Sequence, residues 1–341
     1  MTDQQTACPQ CAGVVEGTDR FCENCGAPLA EVRRVAVPRS ERSEQGPCSD
    51  CGNATYTDGY CTVCGHRRAD PDRDEAVLDG VVVITDRGLE HSRNEDAAAA
   101  GIVLSNDTGR PYAIAVAVCD GVSTSDDAHM AAVAAANAGV DSMLTALAAA
   151  RKGRAAMLAG LAGAAKAAAT AKAGNDPAVA PSCTYTAAAV VPTHAGQVQI
   201  TVGNVGDSRA YWLPAPPAPP QQLTVDDSLA QELITAGAAA DSEAVQRGAH
   251  TLTRWLGADS DAKPWAESSV QTITPDSRGW LLVCSDGLWN YLPDAADIAQ
   301  LCRGLDTTAA SRALVEHAIR AGGQDNITVA IVPIGDLHEF G

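Results

Sequence analysis

Two long apolar runs in this chain each end in an Asp-Gly pair, and they constrain the fold more than any other feature. Residues 113–119 lead into Asp120, and residues 280–284 lead through Ser285 into Asp286. An unbroken apolar run of this length predicts a strand that is buried on both faces. Each strand therefore carries a carboxylate to the rim of the core, and the glycine that follows permits a tight turn.

Three further acidic turns add to this set of carboxylates. They are Asn94-Glu95-Asp96, Gly206-Asp207-Ser208-Arg209 and Gln324-Asp325-Asn326. Carboxylates gathered at one site cannot all stay ionised unless cations hold them. Oxygen ligands select hard cations such as Mg²⁺ or Mn²⁺. The alternative for each Asp is a place in a turn or a helix cap, which Asp also favours.

Composition and charge narrow the class of protein. The chain has 341 residues and a net charge of −18, which argues against a nucleic-acid-binding surface. No apolar run is long enough to span a bilayer and the first residues do not resemble a signal peptide, so we expect a cytoplasmic protein with no membrane partner. In a reducing compartment the 12 cysteines are expected to bind metal or to lie in the core.

Eight of these cysteines form two matching units near the N-terminus. Each unit contains two Cys-x2-Cys pairs about ten residues apart, a pattern typical of zinc ribbons. The cysteines are Cys8, Cys11, Cys22 and Cys25 in the first unit, and Cys48, Cys51, Cys61 and Cys64 in the second. Four thiolates complete one tetrahedral site, so the sequence predicts two structural Zn²⁺ ions. Thiol redox chemistry is the alternative.

The composition along the chain predicts five segments. We expect ribbons at residues 1–29 and 48–66, linkers at 30–47 and 67–77, and a main domain at 78–335. The linker assignments rest on charged composition with few large apolar side chains. Because the segment before the main domain has no strong basic face, docking to a protein partner or a structural role is favoured for the ribbons over nucleic-acid contact.

The main domain alternates blocks of strand and helix patterns. Strands are predicted at residues 78–85, 97–104, 112–119, 183–191, 197–202, 208–213, 269–274, 280–284 and 327–334. Helices are predicted within 127–173, broken near residues 151–153, and at 228–237, 294–303 and 307–321. This succession predicts an α+β fold in which helices cover two packed sheets.

Eight short motifs of the main domain occur in an order that can be compared with known families. They are residues 86–88, 94–96, 120–121, 203–209, 223–228, 252–257, 285–287 and 324–326. In type, order and spacing they resemble the motifs of the PP2C-like (PPM) metal-dependent protein phosphatases. The resemblance covers roughly residues 78 to 334. It implies an αββα sandwich, preceded here by the two small zinc ribbons, with a metal centre at one edge of the two sheets.

The resemblance implies a role for each principal metal ligand. Asp120 would bridge two Mn²⁺ or Mg²⁺ ions, the Gly121 carbonyl would bind one of them, and Asp286 and Asp325 would complete the other. Two such cations lower the pKa of water enough to give hydroxide at neutral pH. That hydroxide would attack phosphorus in line without a covalent phosphoenzyme.

The resemblance places three other acidic residues near the cations without making them principal ligands. Glu95 and Asp96 would lie near the cations, directly or through water. Asp207 would help to hold a more labile third cation together with Asp286. The alternative for Asp207 is an ordinary hairpin turn, since Gly-Asp-Ser-Arg also favours one.

The sequence departs from the family pattern at two places. Many bacterial relatives carry an Arg that holds the substrate phosphate where this chain has His91, and Arg93 lies nearby. We expect His91 or Arg93 to contact the phosphate, although His91 is also compatible with an exposed loop. Residues 122–125 replace the His or Met and paired glycines that usually follow Asp-Gly. Leaving-group protonation would then fall to water or to His129.

The resemblance favours an enzyme that removes phosphate from phosphoserine and phosphothreonine in proteins. Its substrates would be proteins phosphorylated by a serine/threonine kinase. Two alternatives stay open: a catalytically weak pseudophosphatase that serves as a phosphoprotein-binding scaffold, and a nucleic-acid-associated regulator that acts through its ribbons. The retained carboxylates argue against the first alternative and the acidic charge argues against the second.

Overall fold

A computed structural model describes most of the chain. The described residues are 6–8, 11–15, 21–26, 30–39, 48, 51–57, 60–65, 73–105, 109–125, 127–171, 180–193, 197–261 and 263–335. They include two six-stranded antiparallel sheets.

The first sheet is built from the apolar runs of the N-terminal half of the main domain. In spatial order its strands are Val270–Ile273, Val198–Val205, Tyr185–Pro192, Pro111–Cys119, Ala97–Leu104 and Val32–Val37. All eight residues of Ala97–Leu104 are buried. Burial on both faces explains why this strand has no alternation of polar and apolar residues.

The second sheet carries the other apolar run. In spatial order its strands are Gln221–Gln222, Arg209–Pro214, Gly279–Cys284, Ile327–Ile334, Val81–Asp86 and Arg73–Leu78. One cluster of buried Val, Ile, Leu and Ala side chains from both sheets fills the space between them.

Helices cover the outer face of each sheet. Those of the main domain are Ala128–Ala148, Gly153–Thr170, Leu229–Thr235, Glu243–Arg247, Asp286–Trp289, Ala295–Leu301 and Thr307–Ala321. The first two pack their alanines on the first sheet, and Thr307–Ala321 packs on the second. The layers therefore follow the order helix, sheet, sheet, helix, and the predicted αββα sandwich is confirmed.

Short paired strands complete the described structure. Thr6–Ala7 pairs with Val14–Val15, and Tyr56–Thr57 pairs with Tyr60–Cys61. Ser182–Cys183 pairs with Leu256–Gly257. The first two pairs lie within the two cysteine-rich units.

One described helix, Ala128–Ala148, is long and apolar enough to cross a bilayer by length and composition alone. Half of that apolar stretch is buried inside the fold, where its alanines contact the first sheet.

The predicted linker at residues 30–47 is in part a strand. Val32–Val37, which we call the outer strand, pairs antiparallel with Ala97–Leu104. Val37 is 1% exposed between the two sheets, while Arg34 forms a bidentate ion pair with Asp141. The outer strand escaped prediction because its charged residues lie at a sheet edge, where they remain solvated and paired.

The predicted linker at residues 67–77 also ends in a strand. Arg73–Leu78 pairs with Val81–Asp86 through a hairpin whose turn, Asp79-Gly80, has φ of 47° and 86°. Asp-Gly is a preferred pair for such a turn, and we had instead predicted one strand at 78–85. The strand places Asp74 beside Arg39: the Arg39 backbone N–H and guanidinium donate to the carboxylate at 2.6–2.8 Å.

Candidate metal centre

The ends of several buried strands bring the predicted carboxylates to one edge of the sandwich. Asp120 follows a strand of the first sheet, and Asp286 and Asp325 flank strands of the second. Asp207 lies in the turn between the strands Val198–Val205 and Arg209–Pro214. All four line one cavity of about 870 Å³, together with Gly121.

Close backbone approach explains why glycine follows Asp286. A Cβ at Gly287 would lie 2.0 Å from the Asn326 carbonyl oxygen, so a larger residue would push the two turns apart. Asp286 and Asp325 are therefore brought together by backbone packing as well as by the sheet.

Hydrogen bonds fasten the loop of residues 94–96 to this edge. The Glu95 N–H donates to Asn326 Oδ1 at 2.7 Å, and Ser285 Oγ donates to Asp96 Oδ2 at 2.8 Å. Asn326 Nδ2 donates to the carbonyl oxygen of Arg93 at 3.1 Å. Asn326 and Ser285 thus position acidic residues, a role that we had not predicted for either.

Burial and the charges of neighbouring carboxylates raise the pKa values of three acidic residues of the centre. Desolvation, followed by the charges of Asp96 and Asp286, raises the pKa of Asp120 well above its usual range. Burial and then the charge of Asp286 raise the pKa of Asp207 to about 8. Burial raises the pKa of Asp96 to about 7. Carboxyls that repel each other in this way favour either protons or metal ions.

Two buried oxygens strengthen the fit to metal ions. Among the described residues, Asp96 Oδ1 and Asp286 Oδ1 are buried side-chain oxygens that have no hydrogen-bond partner. An unpartnered buried carboxylate oxygen is costly, and a cation would satisfy it. The donor set is all oxygen, as hard divalent cations require.

The two cationic residues predicted to contact phosphate have different surroundings. His91 Nε2 lies 3.2 Å from Asp325 Oδ1, at the edge of the acidic centre. Arg93 Nη1 donates to Asp127 Oδ1 at 2.7 Å and lies 3.0 Å from His129 Nδ1. The structure thus places His91 against a predicted metal ligand and ties Arg93 to the start of the helix Ala128–Ala148.

His250 is a residue of the cavity that sequence reasoning missed. Its Nδ1 lies 3.7 Å from Asp286 Oδ2, and contact with this carboxylate raises the pKa of the imidazole. The ring lies parallel to Trp289, with 6.3 Å between centroids. A lone histidine in a loop carries little sequence signal, and only its position just before the 252–257 motif could have drawn attention to it.

The eight N-terminal cysteines form two tight clusters, as predicted. Within each cluster the four sulfur atoms lie within 4.8 Å of one another, so each could hold a metal ion. No disulfide joins any of these eight described cysteines. Sulfur–sulfur contacts of 3.4–3.6 Å join the pairs Cys8–Cys25, Cys11–Cys22, Cys48–Cys64 and Cys51–Cys61.

Hydrogen bonds to sulfur favour the thiolate form that a metal ion needs. The Gly13 N–H and Asn24 Nδ2 each lie 3.4 Å from Cys11 Sγ, and these donors lower the pKa of Cys11 to about 6. The pKa of Cys61 is also lowered to about 6, chiefly by a backbone hydrogen bond from Cys64.

Comparison with solved structures identifies the class of fold. A serine/threonine phosphatase of S. agalactiae superposes with a TM-score of 0.59 at 26% identity, covering 75% of this chain and 99% of that one. The PPM Ser-Thr phosphatase MsPP of Mycobacterium smegmatis superposes with a TM-score of 0.55 at 29% identity, covering 76% and 100%. The sandwich and its acidic edge therefore define a PPM fold.

Sequence comparison agrees with the fold. Residues 251–327 match the family model described as protein phosphatase 2C. The serine/threonine phosphatase stp of Listeria innocua is 33% identical over 138 residues, or 40% of this chain and 52% of the relative. Protein phosphatase PhpP of Streptococcus pneumoniae is 30% identical over 139 residues, or 40% and 54%. The chain thus spans about half the length of the curated relatives it matches.

Proposed function

We propose that the protein is a metal-dependent phosphatase that hydrolyses phosphoserine and phosphothreonine in other proteins. The observation that carries this proposal is the convergence of four carboxylates from both sheets on one cavity. Asp207 and Asp286 are buried there, the pKa of Asp120 is raised, and Asp286 Oδ1 has no hydrogen-bond partner. The names of the related phosphatases support the reaction and the substrate class.

Four residues of the chain would bind two Mn²⁺ or Mg²⁺ ions. Asp120 would lie between the ions, the Gly121 carbonyl would bind one, and Asp286 and Asp325 would bind the other. When bound, the cations supply Lewis acidity that acidifies water and offsets charge on the phosphoryl oxygens.

Three further acidic residues would complete the metal centre. Glu95 and Asp96 would act nearby, directly or through water, since both are fastened to this edge by hydrogen bonds. Asp207 would take part in a third, more labile cation site with Asp286.

His91 and Arg93 would orient the substrate phosphate. His91 already lies beside Asp325, at the distance of a hydrogen bond, so a phosphate held by the cations would come within its reach. Arg93 would have to exchange its contact with Asp127 for one with the phosphate. An imidazole grips phosphate less firmly than the Arg fork of many relatives, so weaker substrate binding is expected.

The two cysteine clusters would hold structural Zn²⁺ and present the ribbons to a protein partner. The substrates would be cytoplasmic proteins phosphorylated by a serine/threonine kinase.

The decisive experiment measures phosphate release from a phosphothreonine peptide while Mn²⁺ is titrated into the full chain. Metal-dependent release is expected for the parent and loss of release for Asp286→Ala. The matched control, Asp241→Asn, replaces an exposed carboxylate outside the cavity lining and should retain release. No release at any Mn²⁺ concentration from folded, zinc-loaded protein would refute the enzyme and favour a phosphoprotein-binding pseudophosphatase, which peptide binding would then test.

A further inference from the structure

Thr184 lines the cavity and contacts the chain at two of the predicted metal ligands. It directly precedes the strand Tyr185–Pro192 and is 2% exposed. The Asp120 N–H donates to Thr184 Oγ1 at 3.0 Å, and the Thr184 N–H donates to the Asp120 carbonyl oxygen at 2.8 Å. One residue therefore holds both backbone polar groups of Asp120.

The same side chain contacts the turn on both sides of Asp207. Thr184 Oγ1 and Ser208 Oγ share a hydrogen bond of 2.9 Å, and both residues are buried. A Cβ at Gly206 would lie 2.7 Å from Cβ and from Cγ2 of Thr184, so the turn packs directly on this side chain. The hydroxyl and the methyl group of Thr184 thus fix the position of the Asp207 turn.

These contacts join two acidic turns whose charges oppose their approach. Burial and then the charges of four other aspartates, Asp207 among them, raise the pKa of Asp120. A hydrogen-bonded link keeps such turns at a fixed spacing against this repulsion. Because the Thr184 hydroxyl is already bonded to Asp120 and to Ser208, it is suited to orienting metal ligands and not to binding a cation itself.

We propose that Thr184 is a positioning residue whose hydroxyl holds Asp120 and the Asp207 turn at the spacing that divalent cations require. The inference rests on the proposed function, in which Asp120 and Asp207 are metal ligands. Groups that orient metal ligands typically change metal affinity about 10–100-fold when they are removed. Thr184 therefore sets the affinity for Mn²⁺ without contacting the substrate.

The test is calorimetric titration of Mn²⁺ into the full chain in the absence of substrate. Thr184→Val keeps the shape of the side chain and its packing on Gly206 but removes the hydroxyl. It should weaken Mn²⁺ binding by about tenfold or more, because the Asp120 N–H and Ser208 Oγ lose their shared partner. Thr184→Ser keeps the hydroxyl and should bind Mn²⁺ within about threefold of the parent.

The matched control is Thr201→Val, which removes another buried hydroxyl from the first sheet. Thr201 is 0% exposed, and its Oγ1 shares a hydrogen bond of 3.1 Å with Thr272 Oγ1, outside the cavity lining. Its Mn²⁺ affinity should equal that of the parent. Thermal melts establish that each variant is folded before the titrations are compared.

Phosphate release from a phosphothreonine peptide gives a second readout. The Mn²⁺ concentration that gives half-maximal release should rise about tenfold or more in Thr184→Val. The KM for the peptide at saturating Mn²⁺ should stay within about twofold of the parent, because Thr184 acts on the metal ligands and not on the substrate.

Three results would each overturn the assignment: parental Mn²⁺ affinity in Thr184→Val, equal weakening in Thr184→Ser, or equal weakening in Thr201→Val. If Thr184→Val does not fold, Ser208→Ala decides, since it removes the hydroxyl at the other end of the link and should also weaken Mn²⁺ binding. Parental affinity in that variant would likewise overturn the assignment. A parent that binds Mn²⁺ but releases no phosphate would refute the enzyme, while the titrations would still decide the role of Thr184.

Discussion

The protein contains two kinds of predicted metal site, and they differ in what holds their ligands together. Among the described residues of the first cysteine-rich unit, the apolar cluster consists of Cys8, Val15 and Cys22, with Cys11 packed against it, so the predicted ligands are most of that cluster. At the acidic edge the predicted ligands lie at the ends of strands from both sheets, which are already fixed by the large apolar clusters between and outside the sheets.

The ribbons therefore need metal in order to fold, whereas the acidic centre is formed by a fold that does not depend on metal. A ribbon with so small a core depends on its ion for most of its folding free energy. At the acidic centre, metal binding depends on the fold instead. The surrounding sandwich brings the carboxylates together against their mutual repulsion. Metal removal should therefore unfold the ribbons but leave the sandwich intact and inactive.

The largest effect is expected for Asp120→Asn. Under the proposed function Asp120 would hold both cations, so loss of its carboxylate should lower the proposed phosphatase activity at least about a hundredfold. Without added divalent cations, the thermal midpoint of Asp120→Asn should equal or exceed that of the parent, because the repulsion between Asp120 and the neighbouring carboxylates is removed. Parallel activity assays and thermal melts check both results. An inactive variant that is also markedly less stable would mean that Asp120 holds the fold, contrary to the comparison.

Cys22→Ser should disturb the first ribbon and leave the phosphatase activity nearly unchanged. Loss of one ligand should release about one equivalent of zinc and open the first ribbon to protease, while phosphatase activity changes less than about threefold. Zinc content, limited proteolysis and turnover give the three readouts. Cys302→Ser is the matched control, since Cys302 is buried in the core of the main domain and should keep all the zinc. Retention of zinc by Cys22→Ser would contradict the assigned ligand.

Val37→Ala tests whether the outer strand belongs to the sandwich. Removal of two buried methyl groups should destabilise the main domain by about 1.5–2 kcal/mol in urea unfolding. Val32→Ala lies in the same strand, where Val32 is 42% exposed, and should cost less than about 0.5 kcal/mol. Equal costs for the two variants would show that the strand does not pack as described.

A smaller effect is expected from pH when no divalent cation is added. The pKa of Asp207 is raised from 3.8 to about 8 and that of Asp96 to about 7, so the folded protein binds more protons than the unfolded chain in this range. Stability should therefore fall as the pH rises from about 4 to 8. Asp207→Asn should flatten this trend and Mn²⁺ should reverse it. Thermal midpoints at pH 5 and pH 8 test this prediction. A midpoint of the parent that rises with pH would refute the predicted loss of stability.

Much of the acidic centre was predictable because its chemistry is tied to strand ends. Asp120 and Asp286 follow apolar runs that predict buried strands, and the blocks around them predict two packed sheets covered by helices. The cysteine clusters were predictable for a different reason, since two Cys-x2-Cys pairs at this spacing are typical of a tetrahedral site.

The missed features depend on tertiary partners that sequence spacing does not encode. The outer strand pairs with residues more than sixty positions away, and its charges conceal the half-buried pattern of Val35 and Val37. His250 acquires its place only through Trp289 and Asp286. The Asp79-Gly80 turn could have been found, because Asp-Gly between two apolar stretches indicates a hairpin.

The outer strand also determines how the second cysteine-rich unit is attached. Residues 38–72 leave the first sheet at Val37 and return to the second sheet at Arg73, and the Arg39–Asp74 ion pair ties the two ends together. The second unit is thus joined to the sandwich at both of its ends. A protein that bound the second unit would therefore stay at high local concentration beside the main domain even after the chain was cut on one side of the unit.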